Sequence, residues 1–192
     1  MCHDLSLLLV CFAGISFYVG FYHILFYAQS RDSRANLAFA LACFNIGLYD
    51  IFTACLYTVD SPYVGAIWQR WQFISLAGMT AFLIWFVSEY AGRKPRRLEY
   101  VIYAYFVLQV MLLLFDHTSR TMTDTPLVKQ FHILGHLMIY NEMQTGLLIG
   151  VQGIVGLLVF LYIFRELMAV ARERRDPGTR HTIFGMVCVG VT

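Results

Sequence analysis

Long apolar stretches alternate with short polar ones along the whole chain. Residues 5–27, 37–59, 64–90, 98–115 and 146–164 are almost free of charge. Each is near the roughly 20 residues a helix needs to cross about 30 Å of hydrocarbon. The third stretch is long enough to tilt, and the fourth is short. Helices are the expected form, because a strand facing lipid would leave backbone groups without partners. The pattern therefore predicts an all-α, polytopic transmembrane bundle forming one domain over residues 1–192. A sixth apolar run, 182–192, is too short to cross, so the chain reads as a fragment cut inside that segment.

The polar connections refine this picture. Asp60-Ser61-Pro62-Tyr63 is a tight turn that makes spans two and three antiparallel neighbours. The connection 116–145 is long enough to carry structure of its own. Within it, apolar runs at 131–134 and 137–140 flank Gly135-His136, the pattern of a small β-hairpin. An amphipathic interfacial helix is the alternative.

Charge sets an orientation. Eleven of the fourteen Lys and Arg residues lie in three alternate gaps: Arg31 and Arg34; Arg93, Lys94, Arg96 and Arg97; and Arg165, Arg172, Arg174, Arg175 and Arg180. The two intervening gaps carry only Arg120 and Lys129. The positive-inside rule places the basic gaps in the cytoplasm and the N-terminus outside. Composition agrees with a bilayer as the partner: 59% of residues are hydrophobic, 14% are charged, and mean hydropathy is +0.63. No basic stripe exists outside the span-flanking gaps, which argues against nucleic acid. The start of the chain, Met1-Cys2-His3-Asp4, lacks the basic region of a cleaved signal peptide and reads as part of a retained first span. The five cysteines form no C-x-x-C pair, and four of them sit at span depth as small apolar residues.

Against this background the intramembrane polar residues stand out. Asp50 lies inside span two, where an ionisable group costs about 2.5–3.5 kcal/mol on insertion scales. It sits roughly 14 Å from the outer end of its helix, and Arg70 roughly 9 Å into span three, at 1.5 Å per residue. An arginine side chain can bridge that difference, so Asp50–Arg70 is the candidate pair; snorkelling of Arg70 is the rival. Thr53 and Tyr57 share a face with Asp50, and Trp68, Gln69, Trp71 and Gln72 surround Arg70. Together these residues form a candidate ligand pocket with aromatic walls. An aromatic belt with interhelical hydrogen bonds is the plainer reading. At the inner end, His23 and Glu89 reach similar depth and form a candidate polar pair. Gly146, Gly150, Gly153 and Gly156 repeat at helical spacing in span five, expected to serve packing within the bundle or, second, a homodimer seam.

Cofactor and catalytic signatures are lacking. His132 and His136 would share a face of a helix, but two ligands do not make a metal site, and the H-E-x-x-H pattern is absent. Haem would need histidines facing across two spans. No Lys lies in any span, and no phosphate-binding loop, nucleophile elbow or kinase motif occurs. The expectation is no cofactor, no metal and no catalytic residue in this chain.

Two segments carry a family likeness. Ile67-Trp68-Gln69-Arg70-Trp71-Gln72-Phe73 opens span three, and Trp85-Phe86-Val87-Ser88-Glu89-Tyr90-Ala91-Gly92-Arg93 closes it. This arrangement resembles the N-terminal seven-helix sensory region of bacterial membrane histidine kinases. The likeness extends through 113–117, the long outer connection and the glycine-rich fifth span. It departs where Asn141-Glu142-Met143-Gln144 stands in place of a Gly-Pro-aromatic segment, and in spans six and seven. The resemblance implies a signal-sensing input module in the bacterial inner membrane. Such a module receives a small-molecule or membrane cue and feeds a C-terminal cytoplasmic output domain. The rival classes are a small-molecule or ion transporter and a redox protein with haem or quinone. No Pro interrupts a span and no internal repeat is evident, which weighs against the transporter.

Overall fold

Every one of the five apolar stretches is a helix, long and apolar enough to cross a membrane. The computed structural model describes residues 2–30, 33–92, 97–115, 121–133 and 136–174. The helices are α1 (Cys2–Gln29), α2 (Arg34–Thr58), α3 (Pro62–Ala91), α4 (Arg97–Phe115) and α5 (Leu147–Arg174). A two-stranded antiparallel sheet, β1 (Met122–Ile133) and β2 (His136–Thr145), lies between α4 and α5. The apolar run 182–192 lies outside the described residues.

Local chemistry explains the helix ends. Pro62 occupies the first turn of α3, where a missing N–H costs nothing. Gly92 ends the same helix in the left-handed region, at φ 64°, and its N–H donates to Glu89 O at 3.0 Å. Helix α5 outruns its apolar stretch and carries Arg165, Glu166 and Arg172 on its last turns. Intrahelical hydrogen bonding does not stop where the hydrocarbon does, so apolar length marks a span rather than a helix end.

Small residues let α2 pack closely between α1 and α3. Ala38, Ala40 and Ala42 are fully buried, and the Phe17 ring lies against Gly47. Ser6 Oγ donates to Ala54 O at 3.3 Å, tying the start of α1 to the end of α2. The outer side of α1 stays bare, with Leu7, Ile15, Tyr18, Phe21 and Leu25 all exposed. Helices α4 and α5 both pack on α3. The apolar core joins Ala38 of α2, Ile84, Phe86 and Val87 of α3, Ile102 and Phe106 of α4, and Val159, Ile163 and Leu167 of α5. Most of these lie in the halves of their helices nearest the arginine-rich connections, with Phe106 and Val159 near mid-helix.

The hairpin expected at 131–140 is present, and its strands are longer than the apolar runs that predicted it, at 12 and 10 residues. Pairing is regular from Pro126↔Met143 to Ile133↔His136, with a register shift between Met122 and Pro126. A proline cannot donate to a ladder, and in a two-stranded ribbon both strands have a free edge on which it is tolerated. His132 and His136 fall on these strands, so the helical spacing that would align them does not arise.

Candidate functional site

The hairpin is stitched to the turn between α2 and α3. Gln69, only 3% exposed, accepts a hydrogen bond from Met143 N–H at 3.2 Å through Oε1. Asn141 Nδ2 donates to Asp60 O at 3.1 Å, and the Tyr140 ring meets Tyr57 at 5.0 Å between centroids. The Asn141 carbonyl lies so close over Gly65 that a side chain there would collide with backbone. This close approach is what the glycine permits. Thus Asn141-Glu142-Met143-Gln144 is the docking segment of β2. Its Glu142 is buried and ion-paired with Lys129. Burial pushes the Tyr140 phenol up to about 12, with the charge of Glu142 and then Tyr49 adding to the effect.

Behind the dock, other candidate residues pair among themselves. Gln72 Nε2 donates to Thr53 Oγ1 at 2.7 Å, and Thr53 Oγ1 donates to Tyr49 O at 2.7 Å. Phe52 stacks against Trp68 at 6.0 Å and meets Trp71 at 6.1 Å. Asp50 and Arg70 are not brought together: among the described residues no ion pair joins them, and Arg70 Nε is buried without a partner. Residues at equal depth on two helices can still point in different directions around them. Gln72, like Trp68 and Trp71, meets α2, and Arg70 sits two positions from Gln72, about 200° around the helix.

At the arginine-rich end the second expected pair is also absent. His23 Nδ1 bonds Asn36 Oδ1 at 2.9 Å, whereas Glu89 Oε1 accepts from Trp85 Nε1 at 3.1 Å. The Phe39 ring packs 4.6 Å from the His23 ring and 5.2 Å from that of Phe86. The glycine expectation for α5 also changes. Gly146 N–H closes the hairpin on Thr121 O at 2.8 Å. A Cβ added at Gly150, Gly153 or Gly156 would meet nothing within 4 Å, so this face is not packed within the described bundle. Helix α5 packs instead through Val159, Ile163 and Leu167.

Several buried polar residues escaped the sequence reading. Gln109 of α4 and Gln152 of α5, each 4% exposed, have both amide atoms without hydrogen-bond partners. Glu99 is 4% exposed and accepts from Tyr162 O–H at 2.9 Å through Oε1, leaving Oε2 buried and unpartnered. Glutamine and glutamate inside apolar runs are the same signal that drew attention to Asp50, applied to uncharged residues and to a span end. Between α3 and α4 a groove of 340 Å³ is lined by Phe82, Trp85, Glu89, Tyr100 and Tyr103 among others. Among the described residues no three His, Cys, Asp or Glu side chains converge as a metal site. In comparisons with known proteins, no family model, no curated protein and no solved structure matches the chain.

Proposed function

We propose that the chain is the multi-pass membrane input module of a bacterial signalling protein, with the hairpin outside and the arginine-rich connections in the cytoplasm. The observation that carries this reading is the buried bond from Met143 N–H to Gln69. It makes a water-facing hairpin and the third membrane helix one mechanical unit. The hairpin also continues directly into α5, so a cue that moves it pulls on α3 and α5 together. A two-state bundle responds to such a cue only as far as the cue binds the two states differently. Arginine placement supports the orientation, and the family likeness of span three supports the signalling role.

The test perturbs the hairpin and reads the far end. Thr125, exposed on β1, is replaced by Cys in an otherwise cysteine-free protein and coupled to a bulky maleimide. Hydrogen exchange is then followed in lipid nanodiscs. The sensor reading expects altered protection in 85–91 and 165–174, at the arginine-rich end. Changes confined to the hairpin and its dock would sink it.

A transporter is the second reading, favoured by the unpartnered polar atoms of Arg70, Gln109 and Gln152 in the hairpin-side half of the bundle. Uptake of labelled solutes into proteoliposomes would establish it, and a sensor would show none.

A further inference from the structure

A groove lies between α3 and α4, lined from both helices. Its 340 Å³ lies at the low end of small-ligand pockets, about 300–1,000 Å³. Phe82, Trp85, Tyr100 and Tyr103 supply four aromatic walls, with the Phe82 and Trp85 rings 6.5 Å apart and tilted by 44°. Glu89 supplies the carboxylate. Trp85 Nε1 holds its Oε1 at 3.1 Å, which orients the group and leaves Oε2 without a protein partner among the described residues. Glu89 is the acidic residue in the lining of the groove. One carboxylate is too few for a hard metal ion, which takes several oxygen ligands.

We propose that this groove binds an organic ammonium group, its alkyl faces against the aromatic rings and its charge beside Glu89. Aromatic faces attract such cations through their quadrupoles, and a desolvated site strengthens the attraction. The location fits the chemistry. Glu89 lies two residues from the end of α3 and Tyr100 three from the start of α4, at the level where hydrocarbon gives way to headgroups. The ammonium can come from an ethanolamine lipid of the surrounding leaflet or from a soluble amine. The inference does not rest on the sensor reading.

Tetramethylammonium chloride is the probe. The full chain carrying Trp68→Phe and Trp71→Phe, which leaves Trp85 as its one tryptophan, is placed in phosphatidylglycerol nanodiscs and its fluorescence titrated. The expected result is a saturable change that sodium chloride does not reproduce. Glu89→Gln should weaken it about tenfold, the loss of one charge-assisted contact. Tyr100→Leu, at a largely exposed position, should weaken it several-fold. Phosphatidylethanolamine in the nanodisc should compete if the lipid headgroup is the source; saturation without competition assigns a soluble amine. A non-saturable response, one matched by sodium, or one unchanged in both variants overturns the proposal.

Discussion

The two ends of the bundle are held by different forces. Towards the arginine-rich connections, α2 to α5 share an apolar core of alanine, isoleucine, valine and phenylalanine. Towards the hairpin, contact runs through directed polar bonds: Met143 to Gln69, Asn141 to Asp60, and Gln72 to Thr53. That end also keeps the unpartnered atoms of Arg70, Gln109 and Gln152. Lipid tails are as apolar as leucine, so a bilayer offers little hydrophobic force between helices. Tight packing can hold one end passively. The other end adds to its own buried side chains, such as Leu56 and Met143, a few hydrogen bonds, which break singly and leave costly orphans when they do. Such an end can be reset by a small change, and it is the end attached to the hairpin.

Breaking the dock sterically should have the largest effect. Gly65→Leu drives a side chain into the Asn141 carbonyl, and is expected to cost about 1–3 kcal/mol or more by forced displacement. Thermal unfolding in detergent, together with protease cleavage of the hairpin, measures both the loss and its place. Gln69→Leu keeps the volume but strands the buried Met143 N–H, at about 1–3 kcal/mol. In the same unfolding assay, an unchanged Gln69→Leu protein would mean that the bond contributes nothing.

Two smaller effects sharpen the contrast. Gly153→Ala enters open space on α5, so only helix propensity acts, and a gain of about 0.5–1 kcal/mol is expected. A loss instead would show that a partner covers this face. For Asp50→Asn and Arg70→Gln, thermal stabilities of the single and double variants should add within about 0.5 kcal/mol, since no ion pair joins the two residues. A larger coupling would restore the pair.

Much of the fold was legible because its signals are local. Apolar length marked all five helices, and the runs around Gly135-His136 marked the hairpin. The site was legible only in part. Thr53, Gln69 and Gln72 were singled out by depth and polarity, and they do form the bonds behind the dock. The pairs Asp50–Arg70 and His23–Glu89 were inferred from depth alone, and depth says nothing of direction around a helix. Arg70 turns away from the face that carries Gln72, and His23 is bonded to Asn36 instead. The docking role of Asn141 and Met143 had no signal in the chain, because register across a separation of 74 positions is a tertiary property. The open glycine face of α5 likewise follows from neighbours, not from spacing.

The central claim is that the hairpin and the arginine-rich connections lie on opposite faces of one membrane, with the hairpin outside. Single cysteines at Thr125 on β1 and at Ser30 beyond α1, in a cysteine-free background, test it with a membrane-impermeant thiol reagent on intact cells. The account predicts labelling of Thr125→Cys at once and of Ser30→Cys only after permeabilisation. Labelling of Ser30→Cys in intact cells, or of both positions alike, would contradict it.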